Sequence, residues 1–346
     1  MASRLSHSAQ VALVCLLEEM SKMMTDPQVW SAAEGYLRRA SRILAITHVS
    51  PDGDALGSLL GLAHAMRGLG KQVTPACQDA PHPRFSYLNG IFDVKQAGEG
   101  EYDLIVSLDA SDMQRLGSVF VPAQYAHTPI IVFDHHITNT HFGAVNVVEP
   151  GMSSTAEVIL VLLKRMDITI TPDIANALLT GVITDTLAFR TSNTTPDTLA
   201  AAMELMRSGG NLQEVTRQAL VLRSFEQIKL LGAGIVNAKL DGRVVYATLP
   251  RKLRKELGVK EDRGDAGLVG TLITVNDVDV AAVFVELSSG DVDVSLRAQP
   301  GFDVSQVALE LGGGGHPAAA GCTLPGPMRD AVNRVIPRLK QVVREA

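Results

Sequence analysis

His135 and His136 follow Asp134 at the end of an apolar run, Ile130-Ile131-Val132-Phe133, and this order of residue types is the first sign of chemistry in the chain. Adjacent histidines taken alone often belong to a surface loop or a helix cap. Here two earlier apolar runs end in a related way. Residues 43–46 lead into Thr47-His48-Val49-Ser50-Pro51-Asp52-Gly53-Asp54, and residues 104–108 lead into Asp109. A further acid, Asp185, stands in Gly181-Val182-Ile183-Thr184-Asp185-Thr186. Carboxylates and imidazoles without a thiolate suit a borderline-hard divalent ion, Mn²⁺ above all, with Mg²⁺, Co²⁺ or Zn²⁺ as substitutes. Asp52 and Asp54 are separated by one glycine, so a single tight turn could send a carboxylate to each of two ions. Asp109, from a different strand, is the natural bridge between them. Two ions about 3.5–4 Å apart polarise a phosphoryl oxygen and acidify a water, which is the apparatus of phosphate ester hydrolysis.

Such a site needs elements that bring distant segments to one place. Residues 43–46, 73–77, 104–108 and 130–133 read as buried strands, and helix-period segments at 55–68, 155–166, 172–183 and 197–206 lie between or after them. Alternating β and α predicts an α/β fold with a parallel sheet and helices on both its faces. In such a sheet the ligands gather outside the carboxyl ends of the strands, where these motifs stand. Ser208-Gly209-Gly210-Asn211 breaks the pattern. Leu212, Val215, Leu222, Phe225 and Ile228 then suggest one helix ending near Gly232. Beyond it the chain turns β-rich, at 244–248, 279–285 and 291–297, so a helical linker joins the first domain to a smaller, mixed-sheet α/β domain. The boundaries read as a helical extension over 1–40, a first domain over 41–208, a linker over 209–233 and a second domain over 234–346.

Composition narrows the function classes. The 346 residues are 46% apolar and 20% charged but only 4% aromatic, which describes an α/β protein with an aliphatic core. With 31 basic against 37 acidic residues, the chain is a poor candidate for coating long nucleic acid. Cys15, Cys77 and Cys322 are far apart and suggest neither a disulfide framework nor a thiolate zinc site, as expected of a reducing cytoplasm. The apolar run at 11–17 is too short to cross a bilayer and lacks the flanks of a signal peptide, so no membrane partner is expected.

Gly312-Gly313-Gly314-Gly315-His316-Pro317 is the densest glycine cluster in the chain. It reads as a nest of backbone N–H groups for a phosphate, with a flexible loop as the alternative. Arg297 ends an alternating strand and could grip a terminal phosphate through two hydrogen bonds, or be an ordinary surface arginine. Arg190 and Asn193 follow Asp185 closely enough to line the same cleft. Ser153 and Ser154 precede a helix and either cap it or, at Ser154, meet substrate.

The ordered set T-H-V-S-P-D-G-D, S-L-D-A-S, F-D-H-H and I-T-D-T, with the later G-G-G-G-H-P-A-A-A-G, resembles the DHH phosphoesterase superfamily with its associated C-terminal domain. The resemblance runs from about Ile43 to the C-terminus. Size and layout are most similar to the bacterial nano-RNase and 3′-phosphoadenosine-5′-phosphate phosphatase group. That resemblance implies two Mn²⁺ ions, with His48 and Asp52 on one, Asp54, His135 and Asp185 on the other, and Asp109 bridging. His136 would face the scissile phosphate, Asp134 would orient the imidazoles, and Gly313, Gly314, Gly315, His316 and Arg297 would hold a substrate phosphate. The implied substrates are short 5′-phosphorylated oligoribonucleotides, linear dinucleotides and phosphoadenosine phosphate. A homodimer is compatible with it.

Other classes remain open at this point. An inorganic pyrophosphatase or exopolyphosphatase uses similar motifs, but the glycine-rich element differs from the Lys/Arg-rich clamp expected for pyrophosphate. A processive exonuclease would need an additional oligonucleotide-binding domain. A nucleotide-binding module without catalysis would not require the full ligand set.

Overall fold

The structure is a computed structural model that describes residues 25–260 and 264–345. The first 24 residues of the expected helical extension, with the apolar run at 11–17 and Cys15, lie outside the described residues. Two compact units divide at Leu222 and Arg223.

The first unit runs α1 (Pro27–Arg39), β1 (Arg42–Thr47), α2 (Gly53–Gly68), β2 (Gln72–Ala76), β3 (Leu104–Leu108), β4 (Ile130–Asp134), β5 (Val145–Val148), α3 (Thr155–Arg165), α4 (Pro172–Asp185), α5 (Pro196–Arg207) and α6 (Leu212–Thr216). Its strands form a parallel sheet in the order β2-β1-β3-β4-β5. The parallel sheet expected from the alternating pattern is present. β5 was not foreseen, because Val145-Asn146-Val147-Val148 is short and interrupted by an amide side chain. β1 shows why these runs are apolar throughout. Ile43 and Ala45 pack into the helical layer with Leu37, Leu59 and Met66, while Leu44 and Ile46 pack on the other face with Leu116, Val119 and Tyr125.

The register sets the site. Thr47 pairs with Leu108, and Leu108 with Phe133, so β1, β3 and β4 end level with one another. α2 then lies against α4 at a distance only glycine permits. A Cβ on Gly57 would stand 2.4 Å from the Ala177 carbonyl, and one on Gly181 would stand 2.4 Å from Asp54 Oδ1. α1 joins the same core through Trp30, whose indole N–H donates to Glu149 at 3.1 Å.

The single helix expected from Leu212 to about Gly232 is two. α6 stops at Thr216, a π turn covers Arg217–Val221, and α7 (Phe225–Val236) starts afresh from a capping box of Ser224 and Gln227. The apolar spacing carries across this break, which is why periodicity alone did not show it.

The second unit continues with β6 (Lys239–Asp241), β7 (Val244–Leu249), α8 (Arg251–Glu256), α9 (Leu268–Leu272), β8 (Val280–Glu286), β9 (Val292–Ala298), α10 (Ser305–Glu310), β10 (Gly314–His316), β11 (Ala319–Leu324) and α11 (Met328–Glu345). The sheet order is β10-β11-β9-β8-β7-β6, mixed as expected, with only β7 and β8 parallel. β8 is buried on both faces: Val280, Ala282 and Phe284 join one core with α11, and Ala281, Val283 and Val285 join another with α7 and α9. β9 buries only one face, through Val292, Val294 and Leu296, and presents Asp293, Ser295 and Arg297 on the other.

Candidate metal centre

The strand order of the first unit reverses between β1 and β3, and ligands of open α/β sheets collect outside such a switch point. His48 leaves β1 there and Asp109 leaves β3. Asp109 adopts a left-handed backbone (φ 59), which an aspartate tolerates better than most residues. His48 Nδ1 lies 2.7 Å from the Val49 carbonyl. A carbonyl only accepts, so Nδ1 carries the proton and Nε2 is turned to Asp109 at 3.4 Å and Asp52 at 3.8 Å. Asp52 also caps α2, its Oδ1 accepting the amides of Asp54 and Ala55 at 3.0 Å.

Asp54 is wholly buried, and its two oxygens accept the Thr155 and Ala156 amides at 2.6 and 2.9 Å. These are first-turn donors of α3, which have no partner within their own helix. Thr155 Oγ1 donates to Asp109 Oδ1 at 2.9 Å, so one helix start steadies two acids. His135 Nε2 stands 3.2 Å from Asp185, 3.8 Å from Asp109 and 3.9 Å from Asp54.

Asp134 does something else. Its Oδ1 accepts the His135 amide at 2.8 Å and lies 2.7 Å from His136 Nδ1, and its Oδ2 accepts from Asn139 Nδ2 at 2.6 Å. Its carboxylate thus holds the two histidines at its Oδ1 and Asn139 at its Oδ2.

Among the described residues, three groups of side chains offer ligand atoms within 4.8 Å of one another: His48, Asp52 and Asp109; Asp54, His135 and Asp185; and Asp109, His135 and His136. Asp109 and His135 each belong to two groups, which suits adjacent ions. Two ligand atoms about 2.1 Å from one ion stand about 3–3.5 Å apart, close to the gaps between imidazole and carboxylate here. The electrostatics agree. Burial and the charges of Asp109, Asp185 and Asp52 hold the Asp54 carboxyl well above the usual carboxylate range, and burial with Asp109 and Asp52 does the same to Asp185. Burial pushes His48 down, but Asp109 and Asp52 outweigh it and carry the imidazole up to about 10. Burial raises Asp109, yet His48, His135 and His136 hold it below its ordinary value. A divalent ion would displace the His48 proton and relieve the repulsion among the acids together. The residues present therefore fit a metal pair.

The other sequence-predicted residues fall in different places. Ser154 is buried and its hydroxyl accepts the Glu157 amide at 3.1 Å, so the structure gives it the capping role and not a surface facing substrate. Arg190 Nε donates to the Leu187 carbonyl at 2.7 Å and Asn193 Nδ2 to the Ser153 carbonyl at 3.0 Å. Both follow Leu187, Ala188 and Phe189, which are left-handed at φ 46, 58 and 65.

In the second unit the glycine run closes a helix and then opens a strand. The amides of Gly312 and Gly313 donate to the Leu309 and Ala308 carbonyls, closing α10. Gly314, Gly315 and His316 form edge strand β10, paired with Gly321, Ala320 and Ala319. Glycine is required by contact both in β10 and just before it: a Cβ on Gly315 would meet the Ala319 carbonyl at 2.5 Å, and one on Gly313 would meet the Gly321 carbonyl at 2.1 Å. The open face of β9 lies beside it, with a cavity of ≈ 370 Å³ lined by Asp293, Ser295, Gly312, Gly313, Gly321 and Thr323 among others. Arg297 is one pleat further along, and Ala319 is its register partner. Its Nη1 donates to the Leu296 carbonyl at 2.8 Å.

Thr155, Ala156 and Asn139 were missed by sequence reasoning. Ser154-x-x-Glu157 was a readable helix-start signal for the first two; Asn139 had none.

The model of the DHH family, N-terminal domain, matches residues 42–182, and that of the DHHA1 domain matches residues 241–345. The chain is 36% identical over 333 residues to the bifunctional oligoribonuclease and PAP phosphatase NrnA of Thermus thermophilus, covering 94% of this chain and 95% of that one. It is 27% identical over 294 residues to the protein of the same name from Mycoplasma genitalium, covering 83% and 90%. The crystal structure of an exopolyphosphatase-related protein from Bacteroides fragilis matches with a TM-score of 0.85 at 25% identity, covering 92% of this chain and 96% of that one.

Proposed function

Because the chain belongs to the DHH family and carries a DHHA1 domain, we propose that it is a metal-dependent phosphohydrolase that degrades short 5′-phosphorylated oligoribonucleotides and linear dinucleotides to mononucleotides and dephosphorylates phosphoadenosine phosphate to AMP. The observation that carries this reading is the ligand set that shares Asp109 and His135 between neighbouring groups. The printed names of the relatives support the substrate class.

In this reading His48 and Asp52 hold one ion, Asp54, His135 and Asp185 the other, and Asp109 both. Mn²⁺ is the favoured ion, with Mg²⁺ or Co²⁺ as substitutes. Ions held there would supply Lewis-acid charge at a phosphoryl oxygen and lower the pKa of a nearby water. His136, kept in one orientation by Asp134, turns its Nε2 toward the phosphate and donates a hydrogen bond or a proton to an oxygen there. Burial of Asp54 and Asp109 keeps bulk water from these acids, so their charges act at low dielectric. Arg297 and the β10 glycines bind a second substrate phosphate, and binding there positions the scissile bond. The cysteine usage and the absence, among the described residues, of any helix long and apolar enough to cross a membrane are compatible with work in the cytoplasm.

Product analysis tests the proposal. With Mn²⁺, the protein should hydrolyse phosphoadenosine phosphate and 5′-phosphorylated dinucleotides and leave long single strands and pyrophosphate nearly intact. Preference for pyrophosphate would return the reading to a pyrophosphatase, and tight nucleotide binding without product to a binding module.

A further inference from the structure

Arg115 lies on the 3₁₀ segment Met113–Val119, in the chain that leaves β3 beyond Asp109. Its main chain is fastened to the loop of His48. The Arg115 carbonyl accepts the Val49 amide at 2.8 Å, and the Val49 carbonyl accepts from His48 Nδ1 at 2.7 Å. Gly117 allows this approach, since a Cβ there would come within 2.6 Å of Val49 Cγ1 and 2.5 Å of Gln78 Oε1. Gln78 Oε1 also takes the Ser118 amide at 2.9 Å. These contacts use backbone or other residues, so a change of the side chain at 115 leaves them in place.

Arg115 Nε is buried and has no hydrogen-bond partner among the described residues. Asp112 Oδ1 accepts the Gln114 and Arg115 N–H groups, and Asp79 Oδ2 accepts the Ser50 N–H at 2.7 Å. A surface arginine keeps all its donors in water, whereas a buried Nε–H without an acceptor is unfavourable and is matched best by an anionic oxygen. Guanidinium presents a planar fork suited to two oxygens of one phosphate.

We propose that Arg115 is a substrate-binding residue of the metal centre that grips non-bridging oxygens of the phosphate under attack. This rests on the phosphohydrolase reading and adds to it a protein cation beside a ligand set made of acids and imidazoles. Because the charge on those oxygens changes as the bond breaks, the contact affects turnover as well as affinity.

The test compares wild type, Arg115→Ala and Arg115→Lys in the Mn²⁺-loaded full-length protein. Arg115→Ala should lose roughly ten- to a hundredfold in kcat/KM, the equivalent of one charge-assisted hydrogen bond, and lose it equally on a 5′-phosphorylated dinucleotide and a small chromogenic phosphodiester. Arg115→Lys should recover part of the loss, and added guanidinium ion should restore Arg115→Ala without stimulating wild type. Metal content and melting temperature should stay at wild-type values. Calorimetric titration with inorganic phosphate should show affinity weakened about tenfold or more in Arg115→Ala, and this reads the residue even if no nucleotide is cleaved. Unchanged phosphate affinity overturns the proposal, as does an activity loss that comes with lost metal or a lowered melting temperature and resists guanidinium. Wild-type protein that hydrolyses neither diester defeats the phosphohydrolase reading instead, leaving the phosphate titration to decide Arg115.

Discussion

Thr155 and Asp54 stand 101 residues apart in the chain, and the Thr155 amide donates to Asp54 Oδ2 at 2.6 Å. The Ala156 amide meets the other oxygen at 2.9 Å. The acid that serves the proposed centre therefore also satisfies the start of α3, and burial makes both functions costly to lose. Asp54→Asn turns one acceptor into a donor facing an N–H group. It should destabilise the metal-free protein by about 1–3 kcal/mol and reduce bound metal from two ions to one or fewer. Denaturant melts and metal analysis check this, and a variant with native stability and full metal would refute it.

Asp109→Ala should be nearly inactive under saturating Mn²⁺, because it removes the carboxylate common to two ligand groups. Chelation should likewise abolish turnover and Mn²⁺ restore it. Full activity in the variant with both ions verified would remove Asp109 from the bridging role.

His136→Ala should keep its metal while kcat falls by roughly 10²–10⁴, the range for a positioned acid–base group. Asp134→Asn should follow it in direction, since an amide at the 2.7 Å contact can set the wrong His136 tautomer. If His136→Ala loses metal, the residue is a ligand.

Arg297→Ala should act selectively. The loss in kcat/KM should reach on the order of 1.5–3 kcal/mol for a 5′-phosphorylated dinucleotide and stay small for its dephosphorylated twin and for a chromogenic phosphodiester. Gly313→Ala, which forces a Cβ onto the Gly321 carbonyl, should share that selectivity. Equal losses on all substrates, or equal wild-type rates with and without the 5′ phosphate, would sink the anchoring role.

Metal affinity should rise with pH. His48 is carried up to about 10, so below that an incoming ion must expel its proton, and the raised Asp54 and Asp185 carboxyls act in the same direction. The expected change is up to about tenfold per pH unit for each proton released, with uptake of metal accompanied by proton release in calorimetry across buffers. Affinity independent of pH between about 6 and 9 would count against the assignment of these ligands.

Much of the proposed centre was legible in the chain because strand and ligand are contiguous in it. An apolar run followed at once by His48, by Asp109 or by Asp134-His135-His136 states both the element and the group at its tip, and parallel pairing then aligns the tips without further information. The alternating β and α segments fixed the layer order for the same local reason. What depends on approach between distant segments was not legible. That Asp54 rests on the amides of Thr155 and Ala156, that Asn139 takes one oxygen of Asp134, and that Arg115 is tied to Val49 follow from how the loops fold back over the sheet edge. The glycine run shows the limit most plainly. Its composition suits a nest, a loop or a tight edge strand alike, and only pairing with the neighbouring β11 backbone, which leaves no room for a Cβ at Gly315, decided for a strand over residues 314–316.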